Sequence, residues 1–429
     1  MNAANKQFKT ISHLLIIVAT ILFSLSLYSS RPVMLAQGGT PAATSQANQC
    51  ASVTDSNDTI KIGASVPITG KYASGGAQIQ NGYLLGVADV NKAGGVVVAC
   101  QRMKLDLTII DDASDPTKTV QNMETLFSSN QVVTYLGGFG SDLHVAAAAI
   151  AEKNKTPYLG VAFAVYGIHE KGFKYLFSPF PKSPSLVQSA FDMLDTLSPK
   201  PTNVGIFAEK TDWGAEMRDL WSKEAAKRGY KLTTDEQYAP GAKDFSTMIL
   251  QAKNAGTEVI MSLPNPPDGL AIVKQMKELA YTPKLTFVIR AADGASWGSS
   301  LAKDGDYVLL MPGWNPAVKF DGVTDMTKRY SDMFNTPAQA TVGPAYAVIQ
   351  ILADSLQRAG SVDRDAIRDA IAATNLQNTV IGPVEFNPDG TGKVINVVNQ
   401  YQDGKQVLVW PKDQAVGDLI YPAKAFADR

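Results

Sequence analysis

Short apolar runs alternate with stretches of helical periodicity through most of this chain, and a proline-rich passage divides the alternation into two sets. In the first set the spacing predicts strands over 60–66, 104–110, 132–136 and 157–160, with helices over 77–91, 115–130 and 143–152 between them. Ser178-Pro179-Phe180-Pro181-Lys182-Ser183-Pro184 then breaks the pattern, because proline fits neither a helix interior nor a central strand. The alternation restarts with helices over 185–197, 213–228, 244–253 and 268–279, and strands over 203–207, 231–238, 258–263, 285–289 and 307–311. Strands that alternate with helices build parallel sheets covered on both faces, so two such sets predict two doubly wound, Rossmann-like α/β lobes.

Met311-Pro312-Gly313-Trp314 reads as a second passage between lobes, and helices over 323–334, 342–359 and 364–373 return to the first. A strand over 384–386 and a third passage near 389–393 precede strands over 394–401 and 406–410, which turn at Asp403-Gly404. Residues 59–180 with 313–390 are assigned to lobe one, 181–312 with 391–411 to lobe two, and 412–429 to a C-terminal tail. Three passages make a hinge, and hinged lobes close on a ligand held between them.

The N-terminus has the charge order of a secretory signal: Lys6 and Lys9, then an uncharged apolar run over 11–27. That run also reaches the lower length limit of a membrane-spanning helix, so 1–36 reads either as a signal peptide or as an uncleaved anchor. Residues 37–58 are rich in Gly, Ala, Ser and Thr and read as a flexible tether. The expected location is therefore periplasmic or on the extracellular face of the membrane, with or without a tether. In such an oxidising compartment the two cysteines, Cys50 and Cys100, suggest one disulfide, since they precede strands that are adjacent if paired in parallel. The rival reading is lipid attachment at Cys50, although Ala47-Asn48-Gln49 lacks the small residues usual there.

The 39 basic residues balance 40 acidic ones without a basic block, which argues against a nucleic-acid partner. Two cysteines and histidines at 13, 144 and 169 complete no metal-ligand spacing, and no metal or cofactor is expected. Catalysis is not expected either. Gly63-Ala64-Ser65-Val66-Pro67 lacks the dinucleotide fingerprint, and no P-loop or nucleophile elbow occurs. The paired Asp111-Asp112 ends a strand, where neighbours point to opposite faces, and is expected to cap the turn.

A binding loop is a better reading of Gly137-Gly138-Phe139-Gly140-Ser141-Asp142, which follows a buried strand and opens an Ala-rich helix. Its glycines allow close approach of a ligand to the backbone, and the helix start supplies unpaired N–H groups and a positive dipole end. Such loops lie at the carboxyl ends of strands, where open sheets bind ligands. The same residues also suit a plain tight turn with Ser141 as N-cap.

The segments IKIGASVPITGKYASGG, DVNKAGG, DDASDP, GGFGSD and VIGPVEFNPDGTGK together resemble the type I periplasmic solute-binding proteins of the branched-chain amino-acid group. The resemblance runs in order from about Thr59 to Trp410. It implies a monomer that binds a small molecule in the cleft and delivers it to the membrane permease of an ABC importer; a ligand-sensing receptor domain of the same fold is the alternative. By the same resemblance Ser141 would hold a ligand carboxylate, and Ala162 and Ala164 would fall where the family uses a carbonyl and a Thr. Trp213 would match the second-lobe aromatic and Asn265 the position near the family's Tyr. The family's ammonium-binding Glu would fall in Arg290-Ala291-Ala292-Asp293.

A buried ammonium without a carboxylate is unfavourable by several kcal/mol. Unless Asp293 serves, Arg290 instead offers a fork for a ligand carboxylate, with Tyr72, Phe163, Trp213 and Trp314 as apolar or stacking walls. The expected ligand is thus a small polar or carboxylate-bearing molecule, an amino acid or an organic or aromatic acid.

Overall fold

The computed structural model describes residues 50–294 and 296–429, so the signal or anchor segment and most of the tether lie outside the described residues. The first half of the chain lays down strands β1 (Thr54–Val66), β2 (Val96–Val98), β3 (Gln101–Asp111), β4 (Thr134–Leu136), β5 (Tyr158–Leu159) and β6 (Leu176–Phe177). Helices α1 (Ala73–Lys92), α2 (Pro116–Ser128) and α3 (Ser141–Lys153) connect them. These strands form a sheet in the order β2-β3-β1-β4-β5-β6. The 178–182 passage then leads to α4 (Ser183–Asp195), which packs on the second lobe.

There β7 (Asn203–Glu209), α5 (Asp212–Lys227), β8 (Lys231–Tyr238), α6 (Ser246–Asn254), β9 (Val259–Ser262), α7 (Pro266–Glu278), β10 (Leu285–Val288), α8 (Ser296–Leu301) and β11 (Val308–Leu310) alternate. The chain next returns to α1, where α9 (Val323–Phe334) and α10 (Val342–Ala359) pack, followed by α11 (Arg364–Ala372) and the short pair β12 (Asn375–Leu376) and β13 (Val384–Glu385). It crosses a third time to add the hairpin β14 (Val398–Gln402) and β15 (Lys405–Trp410) to the second sheet, whose order is β15-β14-β11-β10-β9-β7-β8. The fold is thus two doubly wound α/β lobes with three connecting passages.

In both sheets the order reverses beside the first strand laid down. β1 sits between β3 and β4, and β7 between β8 and β9, all parallel. Loops leaving the carboxyl ends of strands diverge at such switch points and leave a crevice, so each lobe presents one crevice to the other.

Local chemistry explains most element ends. Asp115 accepts from the Thr117 amide and Pro116 follows it, which starts α2 as expected. Asp111 takes the amides of Ile68 and Thr69, and Asp112 the hydroxyl of Ser65, so the pair fastens β3 to the loop after β1. Four expectations need correction. β1 begins at Thr54 rather than near Ile60, because its early residues pair with β3 from Thr54 opposite Gln101. The same register brings together Cys50 and Cys100, which are disulfide-bonded. Val96–Val98 forms an antiparallel edge strand that the Gly94-Gly95 helix stop concealed. α3 is capped by Gly140, with Ser141 its first residue. Finally, the C-terminal segment is bonded to lobe two: Ile420 exchanges hydrogen bonds with the Gln400 side chain, and Arg429 donates to the carbonyls of Asp304 and Asp306. Among the described residues no helix is long and apolar enough to cross a membrane.

Candidate functional site

The wall from lobe one is mostly backbone and small side chains. Gly140 adopts φ +107°, and a Cβ there would stand 2.7 Å from the Tyr72 ring, so glycine is needed both for the turn and for the packing. Its amide donates to the Ala162 carbonyl at 3.0 Å, tying the loop after β4 to the loop after β5. Ser141 is buried at the positive end of α3. Its Oγ accepts long contacts from the amides of Ala164 and Val165, both at 3.4 Å, which leaves the hydroxyl hydrogen to donate.

The first passage between lobes is clipped to this wall. Ser183 donates its amide and hydroxyl to the Ala164 carbonyl at 2.8 and 2.9 Å, and Trp213 of lobe two donates its indole N–H to the Ser183 Oγ at 3.0 Å. Lys182 donates to the Phe163 carbonyl at 2.8 Å and the Ser178 hydroxyl at 2.7 Å, with its Nζ 3.5 Å from the centre of the Phe163 ring. Burial holds this amine well below the usual lysine range, against the pull of Glu216 and Asp389. His144 stacks on the same ring at 4.4 Å, and burial lowers its pKa to about 3.

The wall from lobe two is built from charge. Arg290 follows β10 at φ +74°, a region that costs a side-chain-bearing residue about 1–3 kcal/mol. Its guanidinium is held by Glu209 at 2.6 Å from Nη2, by the Leu263 carbonyl at 3.1 Å and by the Pro264 carbonyl at 3.3 Å from Nε. Nη1 reaches across the cleft to the Tyr72 hydroxyl at 3.1 Å. Four of the five guanidinium hydrogens are thereby engaged. Arg290 and Glu209 are both buried, and Asn265 braces the pair by donating to Glu209 at 2.7 Å.

Between the walls lies a cavity with about 350 Å³ of open space including its mouth, whose apolar lining comes from Phe139, Phe163, Phe180, Leu186, Trp213, Ile289 and Met311. Gly140, Ser141, Ala162, Ala164, Arg290 and Asp293 complete it. A second chamber, with about 480 Å³ of open space including its mouth, shares Ser141, Trp213 and Arg290 and opens past Asp142, Thr211 and Asp212. Asp293 is the outstanding polar group of the inner cavity. It is 6% exposed, its Oδ1 has no hydrogen-bond partner among the described residues, and burial pushes its carboxyl up to about 8 despite Arg290 nearby.

The structure therefore gathers Ser141, Ala162, Phe163, Ala164, Trp213, Arg290 and Asp293 at one cavity. Three expected wall residues do not line it. Tyr72 is a link between Arg290 and Asp142, Asn265 caps α7 and braces Glu209, and Trp314 is buried in lobe one with its indole N–H on the Val380 carbonyl. Nor is Arg290 the free carboxylate fork expected of it, since Glu209 already occupies it. Nothing near Glu209 in the sequence marks its role, because its partner lies 81 positions away; its place at the carboxyl end of a buried strand beside a switch point is the one signal the sequence carries.

Comparison with known proteins places these features in context. A family model described as periplasmic binding protein matches residues 59–402. The Leu/Ile/Val-binding protein homolog 7 of Brucella abortus is 23% identical over 393 residues, covering 85% of this chain and 94% of the relative. The branched-chain amino acid transporter substrate-binding protein LivJ of Streptococcus pneumoniae, solved with isoleucine, superposes with a TM-score of 0.73 at 18% identity over 82% of this chain and all of LivJ. A solute-binding protein of an ABC transporter from R. palustris, solved with benzoate, gives 0.72 at 16% identity over 86% of this chain and 100% of that one.

Proposed function

The chain belongs to the periplasmic binding protein family, and from that premise we propose that it captures an α-amino acid with an apolar side chain and presents it to the permease of an ABC importer. The observation that carries the ligand class is the unpartnered carboxylate oxygen of Asp293, buried in a cavity whose remaining lining is chiefly apolar. A ligand ammonium would satisfy that carboxylate, and the Ser141 hydroxyl with the first amides of α3 would take the ligand carboxylate. The aromatic and aliphatic walls suit an apolar side chain. Delivery to a permease rests on family membership and on the names of the relatives. An exported protein in monomeric form fits this role.

A second reading, an organic acid, draws on the same residue. With a pKa of about 8, Asp293 is protonated at neutral pH when unliganded and could donate to a ligand carboxylate. The two readings predict opposite pH dependence. An ammonium pairs with ionised Asp293, so binding below pH 8 expels a proton, and affinity rises by up to about tenfold per pH unit until it levels above 8. A carboxylate lacking an amine needs the proton, so its affinity is flat below pH 8 and falls above. Calorimetry from pH 6 to pH 9 with leucine, isoleucine, phenylalanine, isovalerate and benzoate decides. Saturable binding of amino acids that strengthens with pH is expected; binding of the amine-free acids alone would overturn the amino-acid reading.

A further inference from the structure

A second groove lies between the lobes, apart from the cavity just described. It encloses about 950 Å³ of open space including its mouth, and it draws Pro337, Ala338 and Gln339 from lobe one, Tyr401 and Lys405 from the β14–β15 hairpin, and Asn315 from the passage after β11. None of its lining residues is acidic.

Asn315 gives the groove its chemistry. It is 2% exposed, and its side-chain oxygen accepts from the Ala317 amide at 2.8 Å, which fixes the orientation of the group. The Nδ2 that this orientation turns away has no hydrogen-bond partner among the described residues. A buried N–H donor without an acceptor is costly, and such groups in folded proteins mark a missing partner. Lys405 at the rim is exposed and makes no ion pair among the described residues. Pro316, Pro337, Ala338 and the buried Tyr401 supply an apolar body to the groove.

We propose that this groove is a second ligand site, taking a small carboxylate with an apolar body. One carboxylate oxygen accepts from Asn315 Nδ2, Lys405 compensates the charge, and the apolar portion lies along Pro316, Pro337 and Tyr401. The site is assembled from both lobes and a connecting passage, so its occupant bridges them. Tyr401 also donates to the carbonyl of Ala292 at 3.1 Å, one residue before Asp293, so one groove wall supports the segment that carries Asp293 into the first cavity.

The test is a benzoate titration of the full mature protein followed by NMR, reading the side-chain amide of Asn315 and the backbone amide of Ser141 separately. A saturable shift of the Asn315 side-chain signals is expected. Asn315→Asp retains the acceptor for the Ala317 amide while removing the donor and adding negative charge, so the fold is kept and groove affinity, followed at the Gln339 side-chain amide, falls roughly tenfold or more. Lys405→Ala weakens it about threefold. Shifts confined to Ser141 and its neighbours would place benzoate in the first cavity only and overturn the proposal. So would an Asn315→Asp protein that binds as tightly as the parent, or the absence of any saturable shift. The groove reading stands or falls independently of the ligand of the first cavity, because the two reporters are distinct.

Discussion

The two walls of the cleft solve the same problem in opposite ways. Lobe one offers backbone amides, a helix start, a serine hydroxyl and alanines to the inner cavity; Lys182, close behind it, is bonded to the Phe163 carbonyl and the Ser178 hydroxyl and does not line that cavity. Lobe two places an arginine, two acids and an asparagine within reach of one another and lets them neutralise each other, except for Asp293. The difference teaches where selectivity resides. On the proposed function, a wall of neutral donors tolerates any ligand oxygen, whereas the buried Asp293 carboxyl selects between a ligand that brings an ammonium and one that does not.

Removing the counter-ion of the lobe-two wall breaks this contrast most severely. Glu209→Ala would leave Arg290 buried and unpaired, and a loss of about 3–5 kcal/mol is expected in chemical denaturation; a loss below about 1 kcal/mol would mean that water screens Arg290 and the wall is not a neutralised pair.

Asp293→Asn sharpens the comparison from the other side. The native carboxyl has a folded pKa of about 8, above its ordinary value, so the folded state holds a proton that the unfolded state releases. Its contribution is fully present below about pH 4 and is lost as pH rises through 8. The unliganded variant should therefore be the more stable protein at alkaline pH, by several kcal/mol. Parallel pH–stability curves for the two proteins would show that Asp293 is solvated.

On the lobe-one wall Ser141→Ala should cost about 1–1.5 kcal/mol of ligand affinity with little change in stability, because a single neutral donor is lost. Unchanged affinity by calorimetry would remove Ser141 from the site. The smallest effect is expected where the walls touch. Tyr72→Phe deletes the hydroxyl that Arg290 meets across the cleft, worth about 0.5–1 kcal/mol, and ligand dissociation should quicken about two- to fivefold. Stopped-flow rates identical to those of the parent would mean that this bond does not hold the lobes together.

Legibility followed range. The Gly137–Gly140 turn, the Asp115-Pro116 helix start and the Ser178–Pro184 break each depend on neighbours a few positions away, and each was readable. The early start of β1 was not, because it depends on pairing with β3, nor were Glu209 and Asn265, whose partners come from distant strand ends. Trp314 packs in lobe one and not in the cleft: a tryptophan beside a passage suits either a wall or a core, and only packing distinguishes them.

The sequence by itself determined the two-lobed α/β architecture, the three passages and the loops that face the cleft, because strand and helix periodicity and proline and glycine positions are local properties of the chain. The tertiary structure alone decided which charges in the cleft are spent and which remain. Arg290 is neutralised by a glutamate 81 residues away while the Oδ1 of Asp293, three positions further along, finds no hydrogen-bond partner among the described residues. Pairing of buried charges depends on distance in space and on the water excluded around them, and neither quantity is written in the order of residues.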